Sequence, residues 1–159
     1  MQKNVEDIRQ TIENYSDMVY RIALTRSGNV ENAEDIFQDV FVKLNQKKPK
    51  FENEEHKKAW LIRVTINISK NYLKQAWNKK NVKLDEQLRF ETKEESDIFS
   101  IVCELPEKYK TVIYLFYYEG YKVNEIAKIL KKNEGTIKTW LYRSREILKE
   151  KLEGGFEDE

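Results

Sequence analysis

Proline, glycine, cysteine and histidine are scarce in this sequence of 159 residues, which contains 2, 5, 1 and 1 of them, respectively. Few prolines and glycines favour helices over a turn-rich β architecture. The single cysteine, Cys103, excludes an internal disulfide bond and a cysteine-based zinc site. With His56 as the only histidine, neither a Ser-His-Asp triad nor a histidine-rich metal site can be built.

Long apolar segments are absent as well. No run of residues reaches membrane-spanning length, the N-terminus lacks the apolar core of a signal peptide, and no glycine-rich phosphate loop occurs. We therefore expect a cytoplasmic protein that is not an enzyme and does not insert into a membrane. We also expect it to bind no cofactor, no metal and no small-molecule substrate.

Charge is abundant but balanced in sign. Charged residues make up 36% of the chain and hydrophobic residues 40%, which is typical of a soluble, highly helical protein. The formal net charge is only +1, so any surface that binds nucleic acid has to be a local patch.

Apolar residues recur at helical spacing in two regions, which a charged stretch separates. The spacing predicts helices at residues 5–25, 30–44, 55–77, 96–105, 107–118, 123–130 and 134–153. Asn29, Ser96 and Asn133 are the predicted N-caps, and Gly154-Gly155 is the predicted end of the last helix. The prediction is an all-α protein with two small helical domains, residues 1–77 and 96–155, joined by a flexible linker at residues 78–95.

The last two predicted helices have the arrangement of a helix-turn-helix, with a buried stripe on the second one. That stripe contains Ile137, Leu141, Ser144 and Leu148, at steps of four, three and four residues. The opposite face carries Lys138, Thr139, Tyr142, Arg143 and Lys149. Such a face fits the DNA major groove, where base edges display a readable pattern of donors and acceptors. Spacing alone is equally consistent with an ordinary helical hairpin whose charged face is solvated.

Two further helix faces carry unusual combinations of residues. On the second predicted helix, the apolar Val42 lies among polar residues beside Asp35 and Asp39, either by chance or as a contact for a partner helix. On the third, aromatic residues such as Trp60 alternate with lysine, arginine and asparagine. That mixture suits single-stranded nucleic acid, because bases stack on rings while cations follow the phosphates. The more common explanation is that the tryptophan packs in the protein core, on a surface helix whose other residues are charged.

Several short motifs follow one another along nearly the whole chain. They are Tyr20-Arg21-Ile22-Ala23, Ala33-Glu34-Asp35, Gln38-Asp39-Val40-Phe41, Trp60-Leu61, Tyr72-Leu73, Leu105-Pro106, Glu125-Ile126-Ala127 and Gly135-Thr136-Ile137-Lys138. Their order and spacing resemble the extracytoplasmic-function (ECF) group of bacterial sigma factors, the two-domain members of the sigma-70 family. The resemblance implies an alternative sigma factor that binds core RNA polymerase and directs promoter recognition and transcription initiation.

The resemblance also implies roles for individual positions. The residues that would dock on the clamp coiled coil of core polymerase are Asp35, Gln38, Asp39 and Val42. The residues that would hold the non-template single strand of the minus-ten element are Lys58, Trp60, Arg63, Asn67 and Asn71. The residues that would read the minus-thirty-five duplex are Thr136, Lys138, Thr139 and Arg143. An anti-sigma factor that covers the surface around Val42 is a further implied partner.

Some positions depart from the pattern of the family. Lys131-Lys132 stands at the turn where a glycine and an apolar residue are common, and Lys122 replaces the usual serine or threonine cap. Trp140 replaces a basic residue of the recognition helix, either to pack or to contact DNA.

Two rival interpretations remain open. A stand-alone helix-turn-helix regulator would bind duplex DNA tightly without polymerase, and it would leave the outer face of the helix at residues 30–44 unexplained. A helical interaction protein, such as an anti-sigma adaptor, would lack sequence-specific DNA readout. The order of two domains around a charged linker favours the sigma factor.

Overall fold

The computed structural model describes residues 2–73 and 93–157, and helices form nearly all of them. They are α1 (Gln2–Ser27), α2 (Val30–Lys47), α3 (Glu54–Leu73), α4 (Lys93–Cys103), α5 (Glu107–Ile113), α6 (Val123–Leu130) and α7 (Glu134–Glu157). These ranges contain no strand, so the all-α prediction is confirmed. The chain divides into two compact units, Met1–Lys83 and Leu84–Glu159.

The predicted linker at residues 78–95 lies largely outside the described residues. Its last three positions belong to α4, which begins at Lys93 rather than at the predicted cap Ser96. The predicted continuation of the third helix to Trp77 also lies outside the described residues, because the description of α3 ends at Leu73.

The N-terminal unit consists of α1, α2 and α3 around an apolar core. Gly28, whose φ of 67° suits a residue without a side chain, ends α1. The side chain of Asn29 then accepts a hydrogen bond from the backbone N–H of Asn32 at 3.0 Å, which confirms it as the N-cap of α2. The core residues that are completely inaccessible to solvent are Val19, Ala23, Leu24, Ala33, Ile36, Val40, Leu61 and Ile62.

Two polar contacts join α3 to α1. The hydroxyl of Tyr15 on α1 donates to Oε2 of Glu54 at 2.7 Å, at the start of α3. Nearer the other end, the buried guanidinium of Arg26 donates to the hydroxyl of Ser69. Burial and the bond to Glu54 raise the pKa of Tyr15 to about 12. The orientation of α3 therefore depends on hydrogen bonds as well as on apolar packing.

The C-terminal unit departs from the prediction after α5. A single helix was expected at residues 107–118, but the α-helix ends at Ile113 and a π-helical turn follows at Tyr114–Tyr118. The N–H of Glu119 bonds to the carbonyl of Tyr114, five residues earlier, at 3.3 Å. This wider turn stacks the rings of Tyr114 and Tyr118 with their centroids 5.4 Å apart. Gly120, with a φ of 72°, then ends the turn.

The helix-turn-helix has the predicted bounds, since α6 is Val123–Leu130 and α7 begins at Glu134. Asn133 is confirmed as the cap, because its Oδ1 accepts from the backbone N–H of Thr136 at 2.7 Å. The prediction that Gly154-Gly155 ends α7 is wrong, because the helix continues to Glu157. A glycine inside a helix costs about 1 kcal/mol relative to alanine, which weakens a helix without ending it.

Candidate docking and nucleic-acid surfaces

The outer side of α2 brings together all four predicted polymerase contacts. Asp35, Gln38, Asp39 and Val42 are all exposed and follow one another at helical steps of three, one and three residues. The side chain of Val42 is 52% exposed, which is unusual for a large apolar residue. We call these four residues the docking face.

An apolar groove borders the docking face between α1 and α2. Its volume is about 640 Å³, and its lining includes Ile8, Arg9, Ile12, Phe37, Gln38, Phe41, Val42 and Asn45. Gln38 and Val42 belong both to the groove and to the docking face. A partner helix that covers Val42 would therefore also reach an apolar groove.

The solvent side of α3 carries four of the five predicted minus-ten residues. Trp60, Arg63, Asn67 and Asn71 follow one another at steps of three, four and four, with both asparagines exposed and the other two half-buried. We call these four residues the strand surface. Lys58 is half-buried two positions before Trp60, about 200° around the helix, so the structure does not bring it together with the other four.

Trp60 packs against the loop that precedes α3. Its ring lies 5.6 Å from the ring of Phe51, which in turn lies 5.5 Å from the ring of His56. The Nδ1 atom of His56 accepts from the backbone N–H of Glu52 at 3.1 Å. Lys57 places its Nζ atom 5.9 Å from the centre of the Phe51 ring. The tryptophan therefore fixes this loop from within rather than presenting a free stacking surface.

The outer side of α7 carries the predicted minus-thirty-five residues. Lys138, Thr139 and Arg143 are exposed, and Thr136 is half-buried in the first turn. Tyr142 lies between them with 64% of its surface exposed. Ile137, Leu141 and Ser144 are buried on the opposite side, as the spacing predicts. We call the surface formed by Thr136, Lys138, Thr139, Tyr142 and Arg143 the recognition face.

Arg145 is a cationic residue of α7 whose contacts with aromatic rings were not predicted. Its Nε atom donates to the hydroxyl of Tyr117 at 2.8 Å. Its guanidinium carbon lies 5.4 Å from the ring centre of Phe116 and 5.7 Å from that of Tyr117. No sequence signal reveals this contact, because the π-helical turn that positions the two rings was itself not predicted.

Two departures from the family pattern have structural explanations. Trp140 is half-buried, and the Nζ atom of Lys108 lies 5.8 Å from its ring centre, so its contacts are those of a packing residue. At the start of α6, the side chain of Lys122 cannot cap the helix. Instead, Oε1 of Glu125 accepts from the backbone N–H of Lys122 at 2.9 Å, which supplies half of a capping box.

Comparisons with known proteins match both units. Residues 11–79 match the model of Sigma-70 region 2, and residues 97–148 match that of Sigma-70, region 4. The RNA polymerase sigma factor SigV of Bacillus subtilis strain 168 is 30% identical over 147 residues, which cover 89% of this chain and 88% of SigV. The ECF sigma factor SigW of the same strain is 28% identical over 163 residues, which cover 89% of this chain and 86% of SigW.

A solved structure has the same fold. It is the sigma factor RpoE in complex with the anti-sigma factor NepR from Bartonella quintana, with a TM-score of 0.78 and 22% identity. The superposition covers 93% of this chain and 98% of that one. The matches define a transcription initiation factor of the sigma-70 family. Within that family, the chain belongs to the extracytoplasmic-function subfamily of alternative sigma factors.

Among residues 2–73 and 93–157, none of the helices combines the length and the apolar character that crossing a bilayer requires. In the same part of the chain, no cluster of three or more His, Cys, Asp or Glu side chains has the arrangement of a metal site.

Proposed function

We propose that this protein is a cytoplasmic ECF sigma factor that binds core RNA polymerase through residues 1–77 and reads promoter DNA with both domains. The observation that carries the proposal is the order of the two family matches, region 2 at residues 11–79 followed by region 4 at residues 97–148. A stand-alone helix-turn-helix regulator would need only the second of them.

The docking face is the proposed contact with the clamp coiled coil of polymerase. It combines the two carboxylates of Asp35 and Asp39 with the exposed Val42 beside an apolar groove. An isolated surface ion pair contributes only about 0–1 kcal/mol. A partner helix that buries Val42 also excludes water from the carboxylates, which strengthens their pairing with its cations.

The strand surface is the proposed contact with the minus-ten non-template strand. Asn67 and Asn71 are exposed one turn apart on α3, and amide side chains can both donate to and accept from base edges. Arg63 and Lys58 are the proposed phosphate contacts. Lys58 lies near the start of α3, on the side of the helix away from the strand surface. Trp60 supports the loop at Phe51, which borders a pocket of about 670 Å³.

The recognition face is the proposed contact with the minus-thirty-five duplex. Lys138 and Arg143 are exposed cations on the outer side of α7, with Thr136 and Thr139 beside them. Arginine donates two hydrogen bonds to guanine in the major groove, and such a pair discriminates between bases by about 1–3 kcal/mol.

An anti-sigma factor is the proposed regulator of this protein. The related fold of RpoE is seen in complex with the anti-sigma factor NepR. The groove beside Val42 offers a helical inhibitor the surface that polymerase requires. Affinity purification from native cells should recover such a protein in stoichiometric amounts, with core polymerase excluded. Recovery of polymerase alone, in both resting and induced cells, would contradict this part of the proposal.

The proposed docking is tested by measuring the affinity of the full chain for core polymerase. We expect Asp39→Arg to weaken binding at least tenfold, because it places a cation where a carboxylate faces the partner. Asp17→Arg is the matched control, since it reverses the charge of an exposed carboxylate on α1, away from the docking face. Equal affinities for Asp39→Arg and Asp17→Arg, with helical content unchanged by circular dichroism, would refute the docking assignment.

A further inference from the structure

One hydrogen bond joins the docking face to the helix that carries the strand surface. The hydroxyl of Tyr72, near the described end of α3, donates to Oδ2 of Asp39 on α2 at 2.8 Å. Asp39 is exposed, whereas Tyr72 is half-buried. The two residues are 33 positions apart in the sequence, so the bond fixes one end of α3 against α2.

Two carboxylates of α2 raise the pKa of Tyr72. The hydrogen bond to Asp39, followed by burial and by the negative charges of Asp39 and Asp35, raises the pKa of Tyr72 to about 12. Two members of the docking face therefore act on one residue of α3.

One end of the bond is a proposed functional residue, and the other end lies next to one. Asp39 is a member of the docking face, and Tyr72 directly follows Asn71 of the strand surface. A carboxylate has two oxygen atoms and accepts up to about four hydrogen bonds. With Oδ2 engaged by Tyr72, Oδ1 remains available for a cation of the partner.

We propose that the hydroxyl of Tyr72 is a positioning contact that couples polymerase docking at Asp39 to the grip of Asn67 and Asn71 on the single strand. This inference rests on the proposed function, because it assumes that α2 docks and α3 holds DNA. Tyr72 orients the Asp39 carboxylate for the incoming partner. In return, a docked and immobile Asp39 holds the end of α3 and its asparagines in place.

Coupling of this kind is reciprocal, because a contact that favours docking when the strand is bound also favours strand binding when polymerase is docked. A residue of the docking face that touches no DNA should therefore change the affinity for DNA. That consequence separates the coupling from a purely local role of either residue.

The test uses the full chain with core polymerase and a fluorescent single-stranded oligonucleotide of the minus-ten element. Strand affinity is measured at saturating polymerase, so that weaker docking does not lower it indirectly. We expect Tyr72→Phe to weaken both polymerase binding and strand binding about three- to tenfold. We expect Asp39→Ala to weaken strand binding by a similar factor, and the double variant to bind the strand no more weakly than either single variant.

Two control variants separate failure of the coupling from failure of the proposed function. Tyr15→Phe removes a second hydroxyl-to-carboxylate bond, the one to Glu54, and should leave polymerase affinity unchanged. Asn67→Ala should weaken strand binding directly. If Asn67→Ala has no effect on strand affinity, the assignment of the strand surface is wrong. If Asp39→Ala has no effect on polymerase affinity, the assignment of the docking face is wrong.

We expect Asn67→Ala to weaken strand binding and Asp39→Ala to weaken polymerase binding. If Tyr72→Phe and Asp39→Ala then leave strand affinity unchanged, the proposed coupling is wrong, but the assignments of the docking face and the strand surface are retained. Additive losses in the double variant would also overturn the coupling, because independent sites add whereas a shared contact does not. Thermal unfolding followed by circular dichroism shows whether each variant keeps the fold.

Discussion

Lys131 occupies a backbone conformation that few residues with a side chain adopt. Its φ of 56° is left-handed, and it ends α6 at the turn of the helix-turn-helix. The N–H of the next residue, Lys132, bonds to the carbonyl of Ala127 at 2.9 Å, so the turn has an ordinary C-capping geometry despite the absence of glycine. The left-handed conformation costs a non-glycine residue about 1 kcal/mol or more.

Replacing Lys131 with glycine should therefore stabilise the C-terminal unit. We expect Lys131→Gly to raise the free energy of unfolding by about 0.5–1 kcal/mol, because glycine removes the steric cost of the left-handed backbone. Native-state hydrogen exchange of the α6 and α7 amides measures the change. The control is Lys132→Gly, which replaces the neighbouring lysine at a position without positive φ and should lower protection. Unchanged or reduced protection in Lys131→Gly would show that the turn is not strained.

The hydroxyl of Tyr72 gives a pH-dependent prediction. Its folded-state pKa of about 12 lies above the ordinary value of 10.0, chiefly because of the bond to Asp39. The stabilisation that this bond provides is therefore complete below pH 10 and is lost as the pH rises through 12. Spectroscopic titration of phenolate should show that Tyr72→Phe removes one group that titrates near pH 12. In the Asp39→Ala variant that group should titrate closer to 10, and identical titrations would contradict the assignment.

The sequence predicts the roles of some residues but not those of others, and the difference has a physical reason. Asn29 and Asn133 were predicted as caps because an N-cap acts within three residues of its own position. The contact of Tyr72 with Asp39 and that of Arg145 with Tyr117 join residues 33 and 28 positions apart. Contacts at such separations depend on how the helices pack, and no local spacing encodes them.

At the scale of the helix, α7 gives the most direct test of duplex reading. Arg143→Ala should weaken binding to minus-thirty-five DNA by about 1–3 kcal/mol, because it removes an arginine from the recognition face. Affinity for core polymerase should not change. The matched control is Lys151→Ala on the same helix. The Nζ atom of Lys151 lies 3.6 Å from Oε2 of Glu104, and Lys151 does not belong to the recognition face. Equal losses in both variants would indicate a general electrostatic effect instead of base reading.

The strand surface of α3 gives a kinetic prediction. Asn67→Ala should impair formation of the open complex more than binding in the closed complex, because Asn67 is proposed to contact a base only after the strands separate. Footprinting for the closed complex and a fluorescence assay for strand separation measure the two steps. An equal loss at both steps would mean that Asn67 has only a structural role.

The bounds of the elements were predicted best where capping residues and apolar spacing agree. The helix-turn-helix is such a case, since Asn133 fixes the start of α7 and the buried stripe defines its orientation. The π-helical turn at Tyr114–Tyr118 was missed because its apolar and aromatic residues also fit an α-helix. Ring stacking between Tyr114 and Tyr118, together with packing of Phe99 on Tyr118, accompanies the wider turn.

At the scale of the whole chain, the sequence predicted the helical class and the sigma-70 resemblance, and both are confirmed. The boundaries of the functional domains at residues 77 and 96 remain predictions. The site residues also remain predictions, although the structure groups them on exposed sides of α2, α3 and α7, with Lys58 as the exception. Exposure can be inferred from helical spacing, whereas the identity of the partner on each surface cannot.

Transcription by purified core polymerase, with and without this protein, on a library of genomic fragments would show whether the protein acts as a sigma factor. Mapping the RNA start sites should reveal new starts that require the protein and share one pair of upstream elements. Asp39→Arg should abolish these starts, and Arg143→Ala should reduce them according to the minus-thirty-five sequence. If the protein instead binds duplex DNA tightly without polymerase and no new starts appear, it is not acting as a sigma factor and the account is wrong.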